Sequence, residues 1–298
     1  MKGDTGMGAT NICGVIWKNP VTTAAGTFSY RESVKYYDPS ALGAITTKGV
    51  SPTPWKGNPL PRIAETPAGM LNAVGLENPG VDDYIENELA TLKKQGLVVV
   101  ANVAGHQVEE YCQVAEKLSA TDVDMLELNV SCPNVAEGGL AFGTDPKAVA
   151  EVVTAVKSRT RKPVIVKLSP NVADVVGIAQ AAEAAGADAL SLINTLVGMR
   201  LDLATGRPIL ANGTGGLSGP AVKPVAVRMV YQVSRAVGVP VIGMGGIMTG
   251  EDAYEFLLAG AVAVAVGTAA LLDPAAPARI VRELEAAVEK YGAPRRGA

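Results

Sequence analysis

The sequence predicts a TIM-type (β/α)8 barrel, an α/β fold, because eight short apolar runs alternate with segments that carry helical patterns. The apolar character of these runs is nearly continuous, which is typical of parallel strands buried on both faces. A single barrel of 298 residues is also ordinary in size. The predicted strands are residues 21–27, 44–50, 97–105, 125–131, 164–169, 189–195, 241–247 and 261–268.

Helix signals fill the intervals between these strands. Asp145 followed by Pro146 is typical of an N-cap with proline at the first helical position. Thr249 and Asp252 have the spacing of a capping box, with aspartate as a shorter substitute for glutamate. Residues 273–274, an Asp-Pro pair, predict the start of the last helix.

Two long insertions interrupt this rhythm. Residues 51–80, rich in proline and glycine, follow the second predicted strand. Residues 196–217 follow the sixth strand and predict a hairpin around 204–206. Because both insertions come after strand ends, we expect them on the catalytic face of the barrel. The chain shows no linker, low-complexity tract or repeat, so we expect one domain over residues 1–298.

Bulk composition argues against several functional classes. The chain is 48% apolar and 18% charged, as expected of a globular protein with a large core. A net charge of −3 provides no basic footprint for nucleic acid or an anionic membrane. Residues 1–10 contain no apolar signal core, and the longest apolar run, 259–272, is too short to span a bilayer. We therefore expect a cytoplasmic protein.

The cysteines and the single histidine argue against a metal centre in this chain. Cys13, Cys112 and Cys132 form no CxxC pair, and such a sparse, odd set is typical of reduced cytosolic thiols. With His106 as the only histidine, neither a zinc nor an iron–sulfur site is expected. Cys132 differs from the other two cysteines because it stands at the end of a predicted strand.

In a barrel of this type, chemistry collects at the carboxyl ends of the strands. The residues found there are amides, lysines, glycines and one thiol, without a carboxylate, which argues against glycosidase or metal-dependent chemistry. They are Ala25, Gly26, Lys48, Gly49, Asn102, Asn129, Cys132, Lys167, Asn194, Thr195, Gly245, Gly246, Gly267 and Thr268.

Two glycine-rich segments, 243–253 and 266–273, each end a predicted strand and open a helix. Barrels commonly bind phosphate with the loops after strands seven and eight, where backbone N–H groups can approach an anion closely. Each glycine alone could simply serve a tight turn, but the two segments together favour a phosphate site. The pattern is not a Rossmann fingerprint, since Met248 stands where the third glycine is required.

The lysines and amides leave more than one chemistry open. Lys48 or Lys167 could form a Schiff base, as in an aldolase, or could stabilise an anionic ring or carboxylate. Asparagine carries both donors and acceptors, so several of them at one face suit a planar ligand such as a pyrimidine. These amides are Asn72, Asn102, Asn129 and Asn194.

Eight ordered motifs make the chain resemble class 1 dihydroorotate dehydrogenases, most closely the catalytic subunit of the NAD-linked subclass B. The resemblance runs from about residue 10 to about residue 290. The motifs are TKG (47–49), LNAVGLENPG (71–80), ELNVSCPN (127–134), VKLSPN (166–171), INTLVGMRLDL (193–203), GGLSGPAVKP (215–224), GMGGI (243–247) and AVGTA (265–269).

The resemblance implies that one FMN lies across the barrel mouth, that it accepts a hydride from dihydroorotate, and that Cys132 is the catalytic base. The implied FMN contacts are Ala25, where the family often has serine, Lys48, Gly49, Asn102, Asn129, Lys167, Ile193, Gly219, Gly245, Gly246, Gly267 and Thr268. The implied substrate contacts are Lys48, Asn72, Ala73, Val74, Gly75, Leu76, Asn129, Asn194 and Thr195.

The resemblance further implies a role in pyrimidine biosynthesis and a partner subunit that carries FAD and a [2Fe–2S] cluster, through which electrons reach NAD. It also implies a homodimer or a heterotetramer. A related dihydropyrimidine dehydrogenase and a fumarate-linked subclass A enzyme remain alternatives, as do a Schiff-base aldolase and a non-catalytic scaffold. Lys48 beside residues 72–76 suits a substrate that bears a carboxylate, which favours dihydroorotate.

Overall fold

The computed structural model describes residues 8–130 and 142–294, and the strands below are those of this part of the chain. They are β1 (Thr10–Ile12), β2 (Val15–Trp17), β3 (Val21–Thr23), β4 (Ile45–Thr46), β5 (Ile63–Thr66), β6 (Gly69–Asn72), β7 (Val99–Val103), β8 (Met125–Asn129), β9 (Val164–Lys167), β10 (Ala189–Leu192), β11 (Leu196–Gly198), β12 (Gly215–Ser218), β13 (Val241–Met244) and β14 (Ala263–Val266).

Eight of these strands form the wall of a TIM barrel. They are parallel and lie in the order β3-β14-β13-β10-β9-β8-β7-β4, and each falls inside one of the eight predicted segments. Every residue of these eight strands is buried, as expected for a sheet covered by helices outside and by side chains inside. The predicted fold class is therefore confirmed.

The barrel closes between β3 and β4 through side chains as well as main chain. The Thr23 hydroxyl donates to Thr46 O at 2.9 Å, and it accepts from Thr46 N at 3.0 Å. Just before β4, Gly43 N donates to Val21 O at 2.9 Å. A Cβ atom at Gly43 would lie 1.9 Å from Asn19 O, so only glycine permits this close approach of the two backbones.

A short hairpin plugs the end of the barrel opposite the catalytic face. β1 and β2 pair antiparallel, with Thr10 opposite Trp17. Ile12 and Trp17 are fully buried against the residues that begin the barrel strands, among them Met125 and Ala189. This packing fills the barrel interior at its amino end, so the opposite end is the one left for chemistry.

Helices cover the outside of the barrel. They are α1 (Tyr30–Ser33), α2 (Val81–Asp83), α3 (Ala90–Lys94), α4 (Val108–Ser119), α5 (Pro146–Lys157), α6 (Val175–Ala184), α7 (Lys223–Ala236), α8 (Gly250–Leu258), α9 (Thr268–Leu272) and α10 (Ala276–Tyr291). A π-helical segment (Tyr84–Leu89) joins α2 to α3, and 3₁₀ turns lie at Pro39–Ala41, Phe142–Thr144 and Pro220–Val222.

The predicted helix starts are confirmed in two places and wrong in one. The Asp145 side chain caps α5, and Thr249 with Asp252 forms the reciprocal capping box of α8. The last helix begins at Ala276, three residues after the predicted Asp273. Asp273 instead ends α9, where its N–H donates to Ala269 O at 2.8 Å, and its side chain accepts from Ala275 N in the intervening turn.

The two insertions fold together into a second, antiparallel sheet of order β11-β12-β6-β5. β12 of the second insertion pairs with β6 of the first, with Gly216 opposite Asn72. The predicted hairpin turn is also present, since Asp202 N donates to Arg207 O at 2.8 Å. The sheet extends from the carboxyl ends of β4 and β10, so it stands at the catalytic face.

The described residues contain neither a membrane-spanning helix nor a cluster of metal-ligating side chains. Across residues 8–130 and 142–294, every helix is too short or too polar to cross a lipid bilayer. The same part of the chain brings together no group of three or more histidine, cysteine, aspartate or glutamate side chains that could hold a metal ion.

Candidate active site

The site lies at the mouth of the barrel, the surface formed by the carboxyl ends of the eight strands. One side of the mouth carries Lys48, which follows β4. Its Nζ would lie 3.5 Å from a Cβ atom at Gly26, so the lysine side chain extends over the turn after β3 that also contains Ala25. Gly26 has a φ of +86°, a backbone conformation that favours glycine. Lys48 therefore lies beside the turn that contains Ala25 and Gly26.

The charge of Lys48 is held in a poorly solvated position. Burial lowers the pKa of Lys48 from its ordinary value of 10.5. The carboxylate of Glu77 acts in the opposite direction, while the cations Lys167 and Arg62 lower the pKa further. An anion bound at this point would stabilise the charged ammonium, so Lys48 suits the recognition of a carboxylate or an anionic ring.

Gly49 and Asn102 form the next contact around the mouth. Asn102 is fully buried on β7, and a Cβ atom at Gly49 would lie only 2.6 Å from Asn102 Oδ1. Asn102 Nδ2 donates to Glu127 Oε2 at 2.6 Å, but Asn102 Oδ1 has no hydrogen-bond partner among the described residues. Buried polar atoms rarely lack a partner, so this oxygen is a candidate for contact with a ligand.

Glu127 is a residue of the site that was not predicted from the sequence. It lies on β8 two residues before Asn129 and is buried inside the barrel, where it also accepts from the Ser191 hydroxyl at 2.7 Å. A glutamate inside the otherwise apolar run MLELN was the available signal, because a buried carboxylate is rarely tolerated without partners.

A row of amides crosses the mouth from the barrel to the second sheet. Asn194 Nδ2 donates to Asn129 Oδ1 at 3.3 Å, and Asn194 Oδ1 accepts from Thr195 N at 2.8 Å. A Cβ atom at Gly216 would lie 2.0 Å from Thr195 Oγ1, and Gly216 O accepts from Asn72 Nδ2 at 3.4 Å. Direct contacts therefore connect four predicted substrate residues in one row, with Gly216 between the last two. These four residues are Asn129, Asn194, Thr195 and Asn72.

The predicted loop 73–76 follows β6 beside this row. Gly75 and Leu76 both have positive φ, and Asn58 Nδ2 ties the loop down by donating to Ala73 O at 2.9 Å. Asn58 N also donates to Val74 O at 3.0 Å. Glu77, directly after the loop, acts electrostatically on Lys48, so the loop approaches the mouth on the lysine side.

Lys167 ends β9 between two strands that also contribute to the site. Its strand register places it beside Asn129 on β8 and beside Ser191 on β10, and its side chain is buried. Its charge contributes to the lowered pKa of Lys48, so the two lysines share one electrostatic environment.

A glycine cradle, defined here as Gly219, Gly245 and Gly246, lies across the mouth. All three have positive φ. A Cβ atom at Gly245 would lie 3.1 Å from Ile193 Cγ1, and one at Gly246 would lie 2.8 Å from Gly219 O. Side chains are therefore excluded from the cradle by contact as well as by backbone conformation.

Gly267 and Thr268 complete this side of the mouth at the start of α9. The Thr268 hydroxyl donates to Ser218 Oγ at 2.8 Å, and Thr268 Cγ2 lies close to Gly219. A Cβ atom at Gly267 would lie 3.4 Å from the Ala24 side chain, which links the cradle back to the Ala25 turn. The predicted phosphate residues thus form one continuous group.

Cys132, the predicted base, lies outside the described residues. The nearest described residue before it, Val130, follows β8, and Val130 O accepts from Gly143 N at 2.8 Å. His106, the single histidine of the chain, stacks on Trp55 with ring centroids 4.1 Å apart.

Comparison with known proteins shows which family this chain belongs to. A family model described as dihydroorotate dehydrogenase matches residues 7–288. A protein of Alkaliphilus metalliredigens, called dihydroorotate dehydrogenase B (NAD(+)), catalytic subunit, is 58% identical over 282 residues, which cover 94% of this chain and 93% of that protein. A protein of Geobacillus kaustophilus with the same name is 56% identical over 286 residues, covering 95% and 91%. The chain belongs to the dihydroorotate dehydrogenase family and is an oxidoreductase.

Proposed function

We propose that this chain oxidises (S)-dihydroorotate to orotate in de novo pyrimidine biosynthesis, with FMN as its cofactor. The observation that carries the proposal is that a glycine cradle, a buried lysine (Lys167), a half-buried lysine (Lys48) and a row of amides meet at one barrel mouth, in a chain of the dihydroorotate dehydrogenase family. Each group alone has a structural explanation, but their arrangement matches what a phosphorylated flavin and a planar acid require.

The residues at the mouth fit FMN. The cradle of Gly219, Gly245 and Gly246 offers backbone without side chains, and together with Gly267 and Thr268 it can hold the phosphate. The unpartnered Asn102 Oδ1 offers an acceptor to the flavin ring, with Ala25, Lys48, Gly49 and Ile193 around it. When bound, FMN would supply the acceptor for the hydride that leaves the substrate.

The substrate would lie on the amide row. Asn72, Asn129 and Asn194 can hydrogen-bond alternating C=O and N–H groups of the pyrimidine ring, and Thr195 can add a hydroxyl. The charge of Lys48, with backbone groups of residues 73–76, would hold the carboxylate. A dihydropyrimidine without a carboxylate would leave this charge unpaired, which argues for dihydroorotate over that alternative.

We propose Cys132 as the base. Oxidation of the saturated C–C bond removes one proton and one hydride from adjacent carbons, so the protein must accept the proton. A cysteine thiolate can accept it, and in the sequence Cys132 comes three residues after Asn129, the last residue of β8. In this fold, chemistry collects at the carboxyl ends of the strands. Lys167 would stabilise negative charge on the cofactor side of the reaction.

Electrons would leave toward NAD through a second subunit. The similar proteins are named as the catalytic subunit of an NAD-linked enzyme, which implies a separate electron-transfer subunit. We propose that this partner carries FAD and a [2Fe–2S] cluster, and that two copies of each subunit form a heterotetramer around a homodimer of the present chain.

The charge of Lys48 predicts a pH dependence of orotate binding. Because burial lowers its pKa from 10.5, the ammonium loses its proton at a lower pH than an ordinary lysine, and affinity for a carboxylate should fall as pH rises through that point. Lys48→Met should weaken orotate binding by about 10–100-fold at pH 7 and remove this dependence. Lys48→Arg, which stays charged, should remove the pH dependence while retaining more of the affinity.

The measurement is the perturbation of the flavin absorption spectrum by orotate between pH 6 and 10. Any titration of orotate itself affects all three proteins equally. The difference in pH dependence between the unmodified chain and the two variants therefore reports the titration of Lys48. Parallel pH profiles in all three proteins would contradict the assignment of Lys48 to the carboxylate.

The proposed function can be tested by the yellow colour of bound FMN and by the bleaching of that colour when the substrate reduces the flavin. The purified chain, reloaded with FMN if necessary, should be yellow and should bleach under anaerobic conditions when dihydroorotate is added. Dihydrouracil should bleach it far more slowly. A chain that binds no FMN would refute the proposal, and faster bleaching with dihydrouracil would establish the dihydropyrimidine dehydrogenase instead.

A further inference from the structure

We propose that Glu127 is a positioning residue that fixes the orientation of the Asn102 amide, so that Asn102 Oδ1 accepts a hydrogen bond from a ring N–H of the bound flavin. The inference rests on the proposed FMN function. It assigns a role to a buried carboxylate that needs no contact with cofactor or substrate.

Glu127 connects three strands inside the barrel. It lies on β8, accepts from Asn102 Nδ2 of β7 at 2.6 Å, and accepts from the Ser191 hydroxyl of β10 at 2.7 Å. All three residues are buried. Hydrogen bonds to a carboxylate are among the stronger ones in proteins, and both of these are short. Each carboxylate oxygen therefore has its own donor.

A carboxylate can only accept, whereas an amide has two unlike ends. Asn102 must therefore present its NH₂ group to Glu127, because the opposite orientation would place an oxygen against an oxygen. Ser191 occupies the other carboxylate oxygen. Asn102 Oδ1 is consequently directed away from Glu127 and toward Gly49, where it lacks a partner among the described residues.

The orphaned atom is an acceptor, and this restricts what it can recognise. The isoalloxazine ring of oxidised flavin carries several acceptors but a single N–H, at N3. A pyrimidine ring such as dihydroorotate also carries N–H groups, so the shared chemistry is a ring N–H beside a carbonyl. Gly49 and Asn102 both belong to the proposed flavin contacts, and we therefore assign the acceptor to the flavin.

The test compares FMN with 3-methyl-FMN, which lacks the ring N–H. Apoprotein is titrated with each cofactor, and the ratio of the two dissociation constants is measured. The unmodified chain should prefer FMN by about tenfold, the value of one hydrogen bond. In Glu127→Gln the amide of residue 127 can pair with Asn102 in either orientation, so this preference should fall to about threefold or less.

Ser191→Ala is the matched control. It removes the other hydrogen bond of the same carboxylate and lowers the melting temperature, yet it leaves Glu127 able to orient Asn102. Its preference for FMN should equal that of the unmodified chain. A purely structural role for Glu127 predicts instead that Glu127→Gln and Ser191→Ala lower the melting temperature alike and leave both preferences intact.

A second measurement avoids the bulk of the added methyl group. The N3–H proton of ¹⁵N-labelled FMN should resonate at a hydrogen-bonded position in the unmodified chain and in Ser191→Ala, and should shift upfield in Glu127→Gln. An unshifted resonance in Glu127→Gln would overturn the inference.

Two further outcomes are decisive. If Glu127→Gln changes the preference for orotate over N-methylated orotate but leaves the cofactor ratio unchanged, the acceptor belongs to the substrate and the inference is wrong. If the unmodified apoprotein binds neither cofactor, the proposed function fails, and the inference fails with it.

Discussion

Replacement of Cys132 by alanine is expected to slow the reduction of bound FMN by dihydroorotate by about 10²–10⁴-fold, the usual contribution of a positioned general base. FMN content and orotate affinity should stay close to those of the unmodified chain, because the proposed contacts to both ligands come from other residues. The measurement is anaerobic stopped-flow absorbance of the flavin band in a single turnover.

Cys13→Ala is the control for this experiment. Cys13 lies at the closed end of the barrel, where its thiol donates to Asp188 O at 3.1 Å. Burial, with a smaller effect from the charge of Asp188, raises the pKa of Cys13 to about 11. It therefore stays protonated near neutral pH, and its removal should leave flavin reduction unchanged. If Cys132→Ala reduced its flavin at the same rate as the unmodified chain across pH 6–9, Cys132 would be excluded as the base.

Replacement of Gly246 by alanine should disrupt both the glycine cradle and FMN binding. Gly246 has a φ of +80°, and an added Cβ atom would lie 2.7 Å from Lys223 Cβ and 2.8 Å from Gly219 O. Backbone strain and overpacking together should lower the free energy of unfolding by about 2–4 kcal/mol. The dissociation constant for FMN should rise by about 10–100-fold, since displacement of either neighbour deforms the cradle.

Gly186→Ala separates general backbone strain from the effect on the cradle. Gly186 has a φ of +99°, but a Cβ atom there would approach only Lys157, at 3.8 Å, after the end of α6. This variant should lose about 1–2 kcal/mol of stability and bind FMN normally. Urea unfolding of the apoprotein and fluorescence titration with FMN measure the two quantities. Equal loss of FMN affinity in both variants would remove Gly246 from the cofactor site.

Local patterns were sufficient to predict the barrel and most of its mouth. Continuous apolar runs located all eight strands, and the chemistry of strand ends identified Lys48, Asn102 and Asn129 before any contact was known. This succeeds because a parallel barrel places the end of each strand at the same face. Once the fold is known, residues from different strand ends can therefore be assigned to the same surface of the protein.

Contacts between distant segments could not be predicted in this way. Neither insertion shows that β6 pairs with β12, because each strand is short and lies far from its partner in sequence. The orientation of Asn102 depends on Glu127, which is 25 residues away on another strand, and no local pattern links the two residues. The start of α10 was misplaced because Asp273 can end one helix as readily as it can begin the next.

The pairing of β6 with β12 also bears on when the site can form during folding. Asn72 and Gly216 are 144 residues apart, so their contact closes a very long loop and comes at a high cost in chain entropy. During synthesis, β6 of the first insertion is made long before its partner β12, because most of the barrel lies between them in sequence. We therefore expect the substrate half of the site to form late in folding, when the two distant insertions meet.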